Sequence, residues 1–515
     1  MTKPGAWHGA LVGATLTAAF VAVSFLGWAA AGLPFLPFDL FDWIARILPG
    51  SFVTTGIEFT VAISRAFGAS SLGAAAKAVE QAEAVGGVVI AGAAGGALLF
   101  ALLRLSSEPT LLLSAILGAI LGGVALVIET QLDRIATGPP LSGPWVFATV
   151  LAWSLSFGWA HDRLSGVASV LGGEPAVGPA GRRRFLVQLG GSTFIATLAS
   201  TTAGILFFGR TDSLTGTRWS DTHPLPNADA AVTPVAGTRA EFTPLDLHYR
   251  VDTNTRAPRI DLERWRLRVG GMVQRPLAFT LDELRQYEPV HAFATLSCIS
   301  NPPGGDLIST TRWTGVSLKR LLQALILDPA ATHLRVTSAD GFFEIVSIAA
   351  IRGDERLMLA YAWDGVPLPV EHGFPLRLYV PNLYGMKQPK WIVSMEAVDR
   401  WQPGYWVTRG WDREGKVAVG SAIDVIEPMA ASVGVALGGI AFAGARGISR
   451  VEVRADDGGW QPADLRDPLS AVTWVLWRAR LKTGPGEHTF AVRAFDADGR
   501  QQDGGFHTKR LEVRG

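Results

Sequence analysis

The chain holds a single cysteine in 515 residues, Cys298, within the stretch "ATLSCISNPPGG". In the preceding "HAFATLSC", Ala292, Ala294, Leu296 and Cys298 fall on one face at a spacing of two, so the thiol points where the apolar side chains point. The chain then turns at Asn301, Pro302, Pro303, Gly304 and Gly305. A thiol so placed is a small buried hydrophobe, a nucleophile or a metal thiolate. A single cysteine rules out a disulfide within the chain. A Cys/His hydrolase needs an imidazole partner, and the histidines of the second half stand in no diagnostic arrangement. Zinc wants several nitrogen and sulfur ligands, and no such cluster is visible. One protein thiolate on a soft metal whose other ligands come from an organic cofactor stays open.

A second segment, "VEHGFPLRLYVPNLYGMKQPKW", places Arg377 on a strand that is otherwise apolar on both sides. A guanidinium held there needs an anion. A phosphate suits its fork of donors, and an internal Asp or Glu is the plainer partner. Lys387 and Lys390, on a glycine-containing loop nearby, favour an anion site.

The elements that must position these groups begin after a polar, proline-bearing stretch, Thr211 to Ala240, which reads as a linker. "RWRLRVGGMVQRPLAFT" predicts a hairpin about Gly270 and Gly271, Thr280 with Glu283 a capping box, and "WTGVSLKRLLQALIL" a helix carrying Leu318, Leu321, Leu322 and Leu325. Strands and helices mix without regular alternation, which predicts an α+β domain. After Ser421 short alternating strands separated by Asp/Gly turns predict a β-sandwich of immunoglobulin-like type.

The first 210 residues are of another kind. Net charge is +1 and the pI near 7.9, giving no global reason for a nucleic-acid partner, and the mean hydropathy of +0.26 is concentrated in this half. Five apolar runs meet the length needed to cross a bilayer: Gly9 to Ala31, Ala84 to Leu103, Pro109 to Ile128 (between Glu108 and Glu129), Ser142 to Ala160 and Phe185 to Gly209. Ser114, Gly118 and Gly122 form a small-residue face suited to close helix packing, whereas "FDLFDWIARILPG" reads as interfacial. Arg182, Arg183 and Arg184 before the fifth run, and Lys3 at the N-terminus, predict cytoplasmic ends, and everything after Arg210 is expected across the membrane. "RRRFLVQLGG" also fits a twin-arginine export signal with Arg182 and Arg183 as the pair; plain positive flanking is the alternative.

With "TLSCISNPPGGDLISTTRWTGVSLKRLL", "LAYAWDGVPLPVEHGFPLRLYVP" and "YGMKQPKW", the segment from Phe242 to Gly515 resembles the sulfite oxidase family of molybdopterin-dependent oxidoreductases, especially its membrane-anchored or exported bacterial members. The resemblance implies a Mo-molybdopterin cofactor whose metal takes Cys298 as its thiolate ligand. It also nominates Tyr249 and Arg250 in "DLHYRVD", Ser338 in "VTSADGF", His372, Arg377, Gln388, Pro389 and Lys390 as cofactor-binding, and Tyr361 as a catalytic tyrosine beside substrate. The implied reaction is two-electron oxygen-atom transfer. The family places an arginine shortly after the cysteine to hold sulfite; here stand Asn301, Pro302 and Pro303, so the expected substrate is neutral or larger, such as a sulfoxide or N-oxide. A cofactor built in the cytoplasm requires export of a folded domain, which strengthens the twin-arginine reading.

The expected organisation is a four-helix transmembrane region (1–181), a signal or fifth helix (182–210), a linker (211–240), the molybdopterin domain (241–420) and an immunoglobulin-like, dimerisation-type domain (421–515), giving a homodimer on the outer side of a bacterial cytoplasmic membrane. His8 and His161 both lie near predicted cytoplasmic helix ends, so a bound haem is not expected, and electrons are expected through a separate quinone-linked or cytochrome partner. The competing readings are an inactive or regulatory cofactor-domain protein, a sulfite-oxidising enzyme with an atypical anion pocket, and a transporter; the last is disfavoured by the lack of charges inside the apolar runs.

Overall fold

The computed structural model describes residues 4–66, 72–105, 109–134, 138–166, 178–208, 216–429, 434–503 and 505–513. Lys3, Glu108, the end of the fifth run at Gly209, Arg210 and the first residues of the expected linker, 211–215, lie outside the described residues. The chain divides into two compact units. One comprises Met1–Leu48, Lys77–Thr211 and Thr253–Arg256, the other Pro49–Ala76, Asp212–Asp252 and Ala257–Gly515.

The first unit is helical: α1 (Ala6–Ala31), α2 (Leu36–Ile47), most of α4 (Leu72–Leu105), α5 (Thr110–Gln131), α6 (Ser142–Ser165) and α7 (Gly178–Phe208); α3 (Gly50–Ala66) belongs to the second unit. Three of these helices are long and apolar enough to cross a membrane: α1, α4 from Ala76, and α5. The small-residue face of α5 is buried as its spacing predicts. Ser154 of α6 donates to the Ser114 carbonyl at 2.7 Å, and a Cβ on Gly118 or Gly122 would meet Ser154 or Phe147. A second close approach has the same cause. Gly9 and Gly13 of α1 lie against the backbone of Gly96 and Gly92 of α4, a pair of G-x-x-x-G faces. The interfacial segment forms α2, too short to cross, with Asp39 and Asp42 buried and both bonded to Arg134. Residues Thr253–Arg256 pack in this unit: Asp42 accepts the Thr255 N–H at 2.6 Å, Lys77 donates to the Asn254 carbonyl at 3.0 Å, and the Arg256 guanidinium stands 4.2 Å from the Trp28 ring.

The second unit contains two mixed layers and a sandwich. Its first sheet runs β2 (Leu277–Phe279), β1 (Leu267–Gly271), β10 (Ile392–Val398), β5 (His333–Ser338), β6 (Phe343–Ser347), with only the β1/β10 pair parallel. The short helices α8 (Leu281–Arg285), α9 (Leu318–Gln323) and α10 (Ile348–Gly353) cover a core that includes Leu267, Leu284, Leu318, Leu321, Leu334 and Ile392. The hairpin β1/β2 and the Thr280–Glu283 capping box form as the spacing predicts. The leucine helix is shorter than expected. Trp313 to Ser317 are the end of strand β4 (Ile308–Ser317), and α9 stops before Leu325, which is nonetheless buried. Pairing with two neighbours wins over helical spacing in that stretch.

The second sheet runs β3 (Pro289–Ser297), β4, β7 (Met358–Trp363), β8 (Val366–Pro367), with β9 (Arg377–Tyr379) also on β7. Its core holds Ala294, Leu296, Trp313, Met358, Ala360 and Trp363, with Ala292 and Cys298 packed against it, so the alternation read along β3 is observed.

From Gly420 onward two antiparallel sheets face each other, β11 (Gly420–Pro428), β12 (Val435–Phe442), β16 (Val475–Leu481), β15 (Asp464–Leu465) and β14 (Gln461–Pro462), β13 (Ile448–Ala455), β17 (Gly486–Asp496), β18 (His507–Val513). Leu437, Val451, Val453, Trp477, Phe490 and Val492 fill the space between them. The stretch expected as a linker is fastened within this unit. Arg239 is held bidentately by Asp424, and Arg466 donates to the carbonyls of Asn227 and Val232. At Gly439 of β12 a Cβ would run into the Ala422 carbonyl of β11. Gly439→Ala is therefore expected to destabilise the sandwich by about 1–3 kcal/mol, seen as a lower unfolding midpoint of the purified chain.

Candidate active site

Cys298 follows the last residue of β3, and its own N–H donates to the Leu307 carbonyl at 2.9 Å, which holds the strand end against the start of β4. The thiol is half-buried. Burial pushes its pKa up, while donors of Ser300 and Ile299 pull the other way. Tyr249 is next to it. Its N–H is fixed by the Ser309 hydroxyl at 3.0 Å, its ring is buried, and its hydroxyl lies close to Gly385, where a Cβ would stand 2.9 Å away. Burial first, and Cys298 second, raise the phenol above its ordinary value, so it keeps its proton.

Arg377 approaches through a pair of adjacent segments. Leu378 donates to the Pro389 carbonyl at 2.8 Å and Ile392 to the Leu376 carbonyl at 3.0 Å, so residues 376–378 and 389–392 run side by side. The guanidinium lies 4.8 Å from the Trp313 ring and donates to the His372 carbonyl at 3.0 Å, but its Nε is buried without a partner, and no ion pair reaches it among the described residues. Burial pulls its pKa down to about 10, which leaves it charged at neutral pH. His372 stands 4.4 Å from Trp363 and 5.3 Å from His248, ring centre to ring centre. Burial holds both imidazoles neutral, His248 at about 3.

The lysines are accounted for differently from the sequence expectation. Lys387 is buried in an ion pair with Glu344 at 3.2 Å, and Lys390 is bonded to Asp252, which also takes Arg250 at 2.6 Å. Lys387 thus has its own carboxylate and Arg250 and Lys390 share one, whereas Arg377 has no ion pair among the described residues. Gln388 ties its loop by donating to the carbonyls of Leu383 and Val380, its Oε1 left without a partner. Ser338 lies opposite Ile392 in the first sheet, its buried Oγ also without a partner. Tyr361 packs in the first core rather than in the one against which Cys298 packs. A bulge in β7 between Ala360 and Ala362 turns its ring into the first core, beneath Arg285 at 5.6 Å. Sequence reasoning passed over His248, Trp313 and Trp363, whose buried Nε2 and Nε1 atoms have no hydrogen-bond partner. The signal was present: a histidine beside Tyr249, and tryptophans facing each other in register across β4 and β7.

A cleft of about 210 Å³ opens beside this cluster, between the turn after Cys298 and the sandwich. Asn301, Pro302, Pro303, Tyr384, Val417 and Phe442 are among its walls; among the described residues Asp503 is the one charged side chain lining it, with no lysine, arginine or histidine.

Residues 254–406 match the oxidoreductase molybdopterin binding domain. Rat mitochondrial sulfite oxidase is 28% identical over 277 residues, 43% of this chain and 50% of that protein. The chain carries a molybdopterin-binding oxidoreductase domain similar to that of the sulfite oxidases. The Azospira oryzae protein named as protein-methionine-sulfoxide reductase subunit YedZ1 is 29% identical over 188 residues, 36% of this chain and 68% of that one. The sulfane dehydrogenase SoxCD of Paracoccus pantotrophus, a solved structure, superposes with a TM-score of 0.49 at 21% identity over 59% of this chain and 87% of its own. The chain spans half the length of the sulfite oxidase it matches. Its cofactor is Mo-molybdopterin, and the orphaned donors of a deeply buried arginine, histidine and two tryptophans fit a group that brings its own acceptors.

Arg377→Lys keeps the charge but loses the planar fork. Bound molybdenum per chain should fall at least about tenfold with little change in unfolding midpoint, as read by elemental analysis. For acid sensitivity, the unfolded chain takes up protons on His248 and His372 below about pH 6.5, whereas the folded chain does not until His248 reaches about 3. Stability should therefore drop as pH falls from 6.5 toward 3, by about 1.4 kcal/mol per pH unit from His248, with His372 acting in the same direction. Urea titrations across that range should show a shallower slope for His248→Gln.

Proposed function

We propose that the chain is a membrane-anchored molybdopterin enzyme performing two-electron oxygen-atom transfer on an uncharged substrate outside the cytoplasm. The observation that carries the reading is Arg377, a buried cation facing Cys298's neighbour Tyr249 with no carboxylate to neutralise it. Cys298 is the metal's protein ligand, Arg377 takes the cofactor phosphate, and Tyr249, His248 and His372 bound the pterin, with Gln388, Pro389 and Ser338 at its edge. Asp252 orients Arg250 and Lys390 there rather than leaving either as a free charge. When bound, the molybdenum cofactor supplies the oxygen-atom transfer and its two-electron redox change. The protein holds the Tyr249 proton on Oη, keeps both imidazoles uncharged, and excludes water from the pterin side by the Trp313 and Trp363 rings.

The cleft supports the substrate assignment. An oxyanion such as sulfite would meet no cation there and one carboxylate, Asp503, whereas a sulfoxide or N-oxide carries no charge to oppose. The relative named for methionine sulfoxide reduction points the same way. Tyr361 is not assigned a role beside substrate, because its ring belongs to the other core.

The N-terminal helices anchor the enzyme. In this reading α6 and α7 complete five crossings with α1, α4 and α5. Arg182 and Arg183, with Arg184, lie on the cytoplasmic side and serve as a twin-arginine signal that lets the loaded domain cross folded. Residues 241–420 form the cofactor domain and 421–515 an immunoglobulin-like domain through which two copies pair, and electrons pass to or from a quinone-linked or cytochrome partner.

Cys298→Ser should leave unfolding unchanged while turnover falls to background with sulfoxides, N-oxides and sulfite alike, and the Mo(V) EPR signal of the parent should be lost or shifted. Full turnover in that variant would remove the ligand assignment, and a parent protein without molybdenum would remove the enzyme reading. Pro302→Arg should raise sulfite turnover relative to sulfoxide turnover, measured as the ratio of the two kcat/KM values.

A further inference from the structure

The seventh helix carries an outer face that catalysis does not use and that runs well beyond the proposed export signal, sharing only its arginines. Its inner face is buried, with Phe185 and Leu189 packed among Val12, Phe100, Phe157 and Leu164. Its outer face starts with Arg183 and Arg184, both exposed and, among the described residues, without an ion-pair partner; a surface cavity of about 490 Å³ lies over them, lined also by Ala180, Val187 and Gln188. At helical spacing from Arg184 the same face continues through Val187, Gly191, Phe194, Ile195 and Leu198; the four apolar side chains are 58–68% exposed, the largest value at Phe194 and Ile195. Gly191 makes a notch in the middle of that stripe, since a Cβ added there would have nothing within 4 Å. Ser192 and Thr193 return their hydroxyls to the carbonyls of Gln188 and Leu189, so their polarity does not interrupt the face.

We propose that this face binds one anionic glycerophospholipid, its headgroup held by Arg183 and Arg184 and one acyl chain lying in the Gly191 notch along Val187, Ile195 and Leu198. From Arg184 to Leu198 the helix rises about 21 Å at ~1.5 Å per residue, while one leaflet's hydrocarbon is about 15 Å deep. The dimensions therefore fit a single lipid standing in one leaflet. Charge supplies the selectivity: two adjacent guanidiniums with no carboxylate at hand fit a phosphodiester bearing net negative charge, and a zwitterionic headgroup would bring its own cation into their field. The proposal rests on the reading of α7 as a membrane crossing.

The test uses the full-length protein in nanodiscs and by native mass spectrometry, with phosphatidylglycerol, phosphatidylcholine or inorganic phosphate as probes. Phosphatidylglycerol should be retained on the chain and raise its unfolding midpoint, with phosphatidylcholine and phosphate doing neither. Arg184→Gln, which leaves the Arg182–Arg183 pair intact, and Gly191→Leu, which fills the notch without a clash, should each weaken phosphatidylglycerol retention about tenfold. Equal retention of phosphatidylcholine, the same effect from phosphate alone, or unchanged retention in both variants would overturn it. Labelling of single cysteines introduced at the two ends of α7, from either side of sealed vesicles, separates the two levels: ends reached from the same side defeat the crossing and the lipid site together, and ends on opposite sides without lipid preference defeat the lipid site only.

Discussion

A desolvated positive charge without a counter-charge organises the catalytic half of this protein. Arg377 is buried among aromatic rings, donates once to a backbone carbonyl, and leaves its Nε unsatisfied. Such a group is costly unless something anionic completes it. Its neighbours are arranged so that no side chain can do so. The nearby carboxylates are already engaged, Asp252 by Arg250 and Lys390 and Glu344 by Lys387, and the two adjacent imidazoles are neutral. The ion pairs that fix the surrounding loops therefore also reserve the guanidinium for a ligand.

Parts of this arrangement were legible in the sequence because they depend on local periodicity. The inward face of β3 with Cys298, the capping box at Thr280, the small-residue face of α5 and the strands after Gly420 all follow from spacings of two to four residues. What was not legible depends on partners far apart in the chain. Lys390 finds Asp252 at a separation of 138 residues and Lys387 finds Glu344 at 43, so both lysines looked free when their partners could not be placed. The surroundings of Tyr361 were hidden for a different reason. One inserted residue in β7 reverses the face of a side chain, and a bulge leaves no mark on period-two alternation except the failure itself. The helix expected across Trp313 to Leu327 was cut short because β4 pairs on both sides up to Ser317.

The absence of cationic side chains from the cleft is also a consequence of where its walls come from. Pro302 and Pro303 cannot donate from their backbone nitrogens, and the facing strands β11 and β12 present Gly420, Ala422, Ile440 and Phe442. Recognition in such a cleft depends on shape and hydrogen bonding more than on ionic attraction.

The cleft's two walls are made at different times. Cys298, Arg377 and the groups around them precede Val398, whereas the opposing wall of the cleft begins at Val417 and is completed by Gln502 and Asp503. A growing chain therefore holds all the residues around Arg377 before it has those that wall the cleft from the other side.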